Sequence, residues 1–564
     1  MMRSGHALPQ SRESPRPRAG KEAASGSPVG TPHRSPCRRG VAMQPAIPGR
    51  YVELLPDQAP SDLETLPDLV RWAAGAYSEQ PAVIGAAALS YGELQAMVDV
   101  VATQLLTVGM APGGVVGVAS GRSYLAPALI LGIMRSGAVY LPLDPLYPDV
   151  LLEAMVQAAD VGTVIVDRAA AGRVPTMRAC VIEAASLLSR GRCGTSLPAV
   201  DLCGGAYGMF TSGSTGAPKG VLLGHAGLGE YARALPGRVG LGAGDRCLGV
   251  APLGFSSSVR QLLLPLAVGA TVVVPTDGQV RTPWELADLI QAERVSHLDV
   301  TPSFWRAFLD ALPESDACRM LAGVRRVLFA SESLDVPLAN RTRRLAPHAR
   351  LWNMYGCTET TGIVTAYEVT GSEPEDAAVP IGTALDHVMV SVALADDGPS
   401  CAGSGQIVVT GRAVALGPLS RGTTAGSACA VRRLETGDRA EEIAAGLVWH
   451  GRGDRVLKVR GIRVTAESVE QQLLAHDQVR RAAVVAATER GLICTVEPAP
   501  ETREPDPGRL ISWLRQRLPG HMVPAEITVT TDWPLLPNGK TDYRQLAARH
   551  QTDDRTAGGL DADH

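Results

Sequence analysis

The chain of 564 residues is 45% hydrophobic and 20% charged, with a net charge of −4 at neutral pH. That composition builds a core, at a length that exceeds one ordinary domain, and the slight acidity gives nucleic acid or an anionic membrane no electrostatic reason to bind. The most apolar stretches, such as Leu262–Leu266 and Val272–Val274, fall well short of a bilayer span. Ten scattered cysteines without a Cys-x-x-Cys spacing predict reduced, cytoplasmic thiols rather than a disulfide frame or a zinc site.

Residues 1–50 are rich in Arg, Pro, Ser and Gly and poor in large apolar groups, so a disordered extension is expected there, with Met43 as a candidate true start. Order is expected from Tyr51. Leu89-Ser90-Tyr91-Gly92-Glu93-Leu94 leads into a helical pattern through Leu105, and Arg135–Pro148 reads as a helix end running into a proline-rich turn. Strand-like runs at Gly162–Asp167, Thr271–Val274, Val324–Phe329 and Gln406–Val409 alternate with helical patterns such as Pro283–Glu293. This alternation predicts an α/β architecture. After residue 453 the pattern becomes a small α+β unit. Strands are expected over Val456–Val464 and Val479–Ala486, with a helix capped by Thr465 between them. Leu510, Leu514 and Leu518 mark one face of a further helix.

Thr211-Ser212-Gly213-Ser214-Thr215-Gly216-Ala217-Pro218-Lys219-Gly220 packs three glycines, four hydroxyls and one lysine into ten residues. Hydroxyls and bare N–H groups suit a phosphate chain, and the lysine adds a point charge for it. The segment is not a Walker loop, because Gly220 follows the lysine. Downstream lie Asn353-Met354-Tyr355-Gly356-Cys357-Thr358-Glu359, Thr436-Gly437-Asp438, Gly451-Arg452-Gly453-Asp454 and Pro537-Asn538-Gly539-Lys540. Asn-Gly makes a tight turn, and a carboxylate such as Glu359 suits Mg²⁺, a hard cation.

Together these segments resemble the adenylate-forming superfamily, and in Arg135–Pro148 the adenylation domains of nonribosomal peptide synthetases. The resemblance implies a large N-terminal α/β adenylation domain over residues 51–453. It also implies a small mobile α+β lid over 454–550, followed by a flexible tail at 551–564. It implies ATP and Mg²⁺ as cofactors, Lys540 as the catalytic lysine, Glu359 as the metal ligand and Asp454 as the hinge. Thr211, Ser212, Gly213, Ser214, Thr215, Gly216, Lys219, Asn353, Tyr355, Thr358, Asp438 and Arg452 would bind ATP. Phe255, Ser256, Ser257, Arg260, Asp299, Leu328, Ala330, Met354, Gly362 and Ile363 would line the acid pocket. The chain departs from the family pattern in several places: Cys357 replaces a proline, Leu434-Glu435 a Tyr-Arg, and Ala330-Ser331 a Gly-Gly. Residues 402–419 match the pattern only loosely.

Ser256 stands where the family's aspartate meets a substrate ammonium. Arg260 and Asp299 then pair with each other, or Asp299 receives an amine from a new position, the reading preferred on sequence, or Arg260 binds an acidic group. The implied activity is conversion of a carboxylic acid, preferentially a non-standard amino acid, to its adenylate. With 24 residues after Lys540, the expected acceptor is the phosphopantetheine thiol of a separate carrier protein. The alternatives are CoA or an amine as acceptor, or a degenerate, non-catalytic binding subunit. Nucleic acid and membrane are not expected partners.

Overall fold

The computed structural model describes residues 64–168, 170, 172, 179–189, 191, 197–211, 219–374, 378–393, 404–420, 430–452, 456–459, 462–487, 491–499, 505–534, 541–543 and 545–550. The expected extension (1–50) and tail (551–564) lie outside these residues.

Short β-branched runs alternate with helices and fold into two large, mainly parallel sheets. The seven-stranded sheet runs Gly417–Pro418, Lys219–Gly224, Gly205–Thr211, Val139–Pro142, Val115–Ala119, Thr163–Val166, Cys180–Glu183. The nine-stranded sheet runs Thr383–Ala384, Gly362–Glu368, Arg350–Cys357, Arg326–Phe329, His297–Val300, Arg246–Leu248, Thr271–Val273, Pro81–Ile84, Ala88–Ser90. His297–Val300 and Arg326–Phe329 are buried throughout, as central parallel strands covered on both faces must be. Tyr91–Thr107 is helical because Ser90 and Glu93 close a reciprocal capping box at its start. The helix expected over Pro283–Glu293 spans Pro283–Ala292, opening on the proline whose missing N–H has no helical partner to lose.

Four antiparallel strands follow, in the order Met389–Ala393, Ser404–Gly411, Arg432–Ile443, Gly446–Arg452. The C-terminal part is a small α+β unit. A hairpin of Val456–Val459 and Ile462–Thr465 leads into helix Ala466–Leu474. A three-stranded sheet of Val479–Ala487, Gly491–Pro498 and Glu526–Val529 carries helix Pro507–Arg515. Val469, Leu473, Val484, Val496, Leu510 and Leu514 form its own core. Leu518 joins that core from beyond the helix end, its N–H donating to the Leu514 carbonyl, so the expected apolar face continues through a turn. Five described cysteines are free thiols, but Cys203 is disulfide-bonded, which corrects the all-reduced expectation. Its partner lies outside the described residues.

Candidate active site

The site grows from the carboxyl ends of three adjacent parallel strands, the usual ligand position in open α/β sheets. Asp299 lies in register with Leu328, Leu328 with Trp352, and Phe329 with Asn353. In-register residues share a face, so Asp299 and Leu328 line the same side of the sheet. Antiparallel pairing then sets Gly362 opposite Cys357 and Ile363 opposite Gly356. Gly356 has to be glycine, since a Cβ there would lie 2.0 Å from the Gly362 carbonyl oxygen.

On the strand Arg350–Cys357, the Asn353 amide donates to the Val379 and Pro380 carbonyls at 3.2 and 2.9 Å. Its own carbonyl oxygen is buried and has no hydrogen-bond partner among the described residues. An open acceptor of this kind suits an exocyclic amine such as that of adenine. Tyr355 packs into a core with Val364, Ile407 and Val409, and its hydroxyl donates to Asp438 at 2.8 Å. Burial, before the neighbouring thiol and carboxylate, pushes the Tyr355 hydroxyl pKa well up. Asp438 is fully buried, and Trp449 Nε1 donates to its other oxygen at 3.0 Å. Each carboxylate oxygen can accept a second bond. Arg452 ends the strand Gly446–Arg452, in register with Asp438. Thr358 and Glu359 sit half-buried on a short 3-10 turn directly after the Asn353 strand. A single carboxylate there fits Mg²⁺, which takes one or two from protein and the rest of its oxygens from phosphates and water. Thr211 and Lys219 face each other across the hairpin that carries the glycine-rich loop.

Nearby, helix Ser256–Leu263 follows Phe255. Ser256 and Arg260 are four apart and Ser257 and Arg260 three apart, so all three fall on one helix face. The Ser256 hydroxyl lies 3.3 Å from that of Thr358. Arg260 donates from Nε and Nη2 to the two oxygens of Asp299 at 2.6 and 2.8 Å. The two side chains are 8% and 6% exposed, so this pair is deeply desolvated. Burial alone would lower the basicity of Arg260; Asp299 overcomes it and leaves the pKa raised. Gln261 locks the arrangement, accepting from the Ala251 N–H and donating to the Asp299 backbone carbonyl. Ala330 and Met354 are buried alongside.

Of the three sequence readings of this pair, mutual neutralisation is the geometry found. The preferred reading, in which Asp299 receives an amine, is not the pairing found: both of its oxygens accept from Arg260. Residues 212–218, Asp454 and Lys540 lie outside the described residues, as does the side chain of Arg452.

Four residues of the site escaped the sequence reading. Tyr231, on helix His225–Val239, fills the space over Gly362, where a Cβ would meet its ring and hydroxyl at 2.6–2.8 Å. Trp449 holds Asp438. His521, in the C-terminal unit, lies edge-on to Phe255 with ring centroids 5.5 Å apart, and burial lowers its pKa to about 4. Ser331, directly after the Arg326–Phe329 strand and Ala330, has φ +73°, a left-handed conformation unusual outside glycine. Only Ser331 left a signal, since it stands where the family pattern carries glycine.

A family model described as AMP-binding enzyme matches residues 70–418, and one described as AMP-binding enzyme C-terminal domain matches residues 468–540. The chain belongs to the AMP-binding enzyme family. As an AMP-binding enzyme it is an adenylate-forming ligase, with the large α/β domain and small C-terminal domain of that fold. It is 33% identical over 502 residues to a probable non-canonical nonribosomal peptide synthetase, CymA, of Salinispora arenicola, covering 86% of this chain and 6% of that protein. It is 32% identical over 518 residues to novobiocin biosynthesis protein H of Streptomyces niveus, covering 86% of this chain and 83% of that protein. An artificially fused adenylation–PCP di-domain, NpsA-ThdA from Klebsiella oxytoca, shares the fold with a TM-score of 0.72 at 22% identity. That match covers 88% of this chain and 97% of that one. The chain spans between 6% and 26% of the length of the first four curated relatives it matches. No helix among the described residues is long and apolar enough to cross a membrane.

Proposed function

We propose that this AMP-binding enzyme activates a small carboxylic acid with ATP and Mg²⁺, releasing pyrophosphate, and passes the acyl group to the phosphopantetheine thiol of a separate carrier protein. The observation that carries the reading is the buried, open carbonyl oxygen of Asn353, set one strand from Leu328 and two from Asp299. An open acceptor that suits a nucleobase and the Arg260–Asp299 pair therefore share one end of one sheet. The similarity to a peptide synthetase, and to a structure fused to a PCP, supports a carrier as acceptor. ATP as co-substrate fits a cytoplasmic location.

In this reading Asn353 binds adenine, Asp438 and Arg452 meet the ribose, and Thr211, the following loop (212–216) and Lys219 bind phosphates with Thr358. Glu359 would hold Mg²⁺, which supplies charge neutralisation at the phosphates. The acid lies between Ser256 and Ile363. Residues 454–550 act as a lid turning on Asp454, and Lys540 stabilises the charge that grows between the carboxylate and the α-phosphate.

The test is the mass of the acceptor. Incubating the full chain with ATP, Mg²⁺, an accepted acid and a phosphopantetheinylated carrier protein should add the acyl mass to the carrier. The same acid transferred only to CoA, or only to a free amine, would contradict the carrier assignment.

A further inference from the structure

The short 3-10 turn Gly520–Met522 gives its two last residues to different parts of the molecule. Met522 is buried in the core of the C-terminal unit, with Val496, Leu510 and Leu514. His521 meets the large domain instead. Its ring lies edge-on to Phe255, with centroids 5.5 Å apart, and tilted against Tyr147, with centroids 6.4 Å apart. Burial lowers the imidazole pKa to about 4, so near pH 7 the ring is neutral and packs as an aromatic group.

Both of its partners are fixed. Tyr147 packs on the cluster of Leu141, Leu143 and Leu152. A Cβ on Gly254 would lie 2.7 Å from the Tyr147 hydroxyl, so the chain just before Phe255 already presses on that ring. The Phe255 carbonyl accepts from the Ser258 N–H at 2.9 Å and from the Ser258 hydroxyl at 2.7 Å, which joins it to the first turn of helix Ser256–Leu263. That helix carries Ser256, Ser257 and Arg260, and Ser256 reaches Thr358. A displacement of Phe255 therefore displaces the turn that delivers Ser256.

We propose that His521 is a positioning residue for the acid: seated on Tyr147, its ring holds Phe255 and with it the first turn of helix Ser256–Leu263. The C-terminal unit thus shapes the acid pocket without a contact to the acid itself. This rests on the adenylation reading above, which places Phe255 and Ser256 in the pocket wall.

The experiment is acid-dependent exchange of pyrophosphate into ATP by the full chain, with the acid that exchanges fastest in a screen of α-amino, β-amino, hydroxy and aryl acids. His521→Ala should raise the KM for that acid about five- to tenfold, the size of a lost aromatic contact, and leave the KM for ATP within about twofold. His521→Gln, which keeps bulk but no ring, should behave as His521→Ala does. His521→Phe restores a ring at the edge of Phe255 and should return the acid KM to within about threefold of wild type. In a Phe255→Leu background, His521→Ala should cost less than about twofold, because the two side chains act as one contact. Equal rises in both KM values, no rise in either, no recovery in His521→Phe, or an undiminished effect in the Phe255→Leu background would overturn the inference while leaving adenylation standing. No exchange by the wild type with any acid would overturn the adenylation reading itself, and the inference with it.

Discussion

On the strand Arg350–Cys357, Asn353 keeps a buried carbonyl oxygen without a partner. Two strands away, on His297–Val300, Asp299 has both carboxylate oxygens occupied by Arg260. The same sheet end thus treats its polar groups in opposite ways. Asn353 holds an acceptor open, which in the proposed reading an adenine amine would complete. Around Asp299 the two charges cancel within the protein.

The largest expected effect comes from breaking the closed side. Asp299→Ala leaves Arg260 buried without a counter-ion and should destabilise the chain by about 3–5 kcal/mol in chemical unfolding. Replacing both residues by leucine should leave stability unchanged or raise it by about 1–4 kcal/mol, because the desolvation penalty disappears with the charges. Equal losses in the single and double variants would show that the pair does not act as a unit.

Acid sharpens the same contrast. His225, His297, His387 and His521 are buried, and burial lowers each pKa from 6.5 to about 4. Between those values the unfolded chain binds protons that the folded chain does not. Stability is therefore full above about pH 6.5 and falls as pH drops towards 4. His387 stacks on Tyr231, and His297 lines the same small cavity as Asp299. Melting temperature followed over this range should fall less steeply in His387→Phe than in the wild type. A flat profile in the wild type would contradict the burial of these rings.

The two sides also differed in how far the sequence disclosed them. Asn353, Thr358 and Glu359 fall within one seven-residue segment, because a single strand and the turn after it deliver them together. Arg260 and Asp299 are 39 residues apart. Their types could be read from the sequence, but their mutual pairing was one alternative among three, since only the packing of helix 256–263 on strand 297–300 decides it. Tyr231, Trp449 and His387 were invisible for the same reason. A buried ring acquires its role from whatever the fold brings against it, and nothing near Tyr231 in the chain announces Gly362 or Arg260. The sheets and helices were legible from periodicity, with ends displaced by a few residues; the expected strand Val324–Phe329 begins only at Arg326.

A smaller effect is expected on the open side. Asn353→Ala removes the acceptor and should raise the KM for ATP by about tenfold, equivalent to one hydrogen bond, with little change in the KM for the acid. Equal changes in both would mean that Asn353 serves the sheet and not the nucleotide. The smallest is Ser331→Gly, which relieves a left-handed serine at φ +73° and should stabilise the chain by about 0.5–1 kcal/mol. A loss of stability there would show that the serine side chain outweighs the backbone strain.

The most direct test of the account is ATP–pyrophosphate exchange by the full chain and by Lys540→Ala. The account predicts exchange that requires an added acid, and a loss of about 10²–10³-fold in the folded Lys540→Ala variant, the size of losing one transition-state donor. Exchange absent with every acid, or unchanged in that variant, would contradict it.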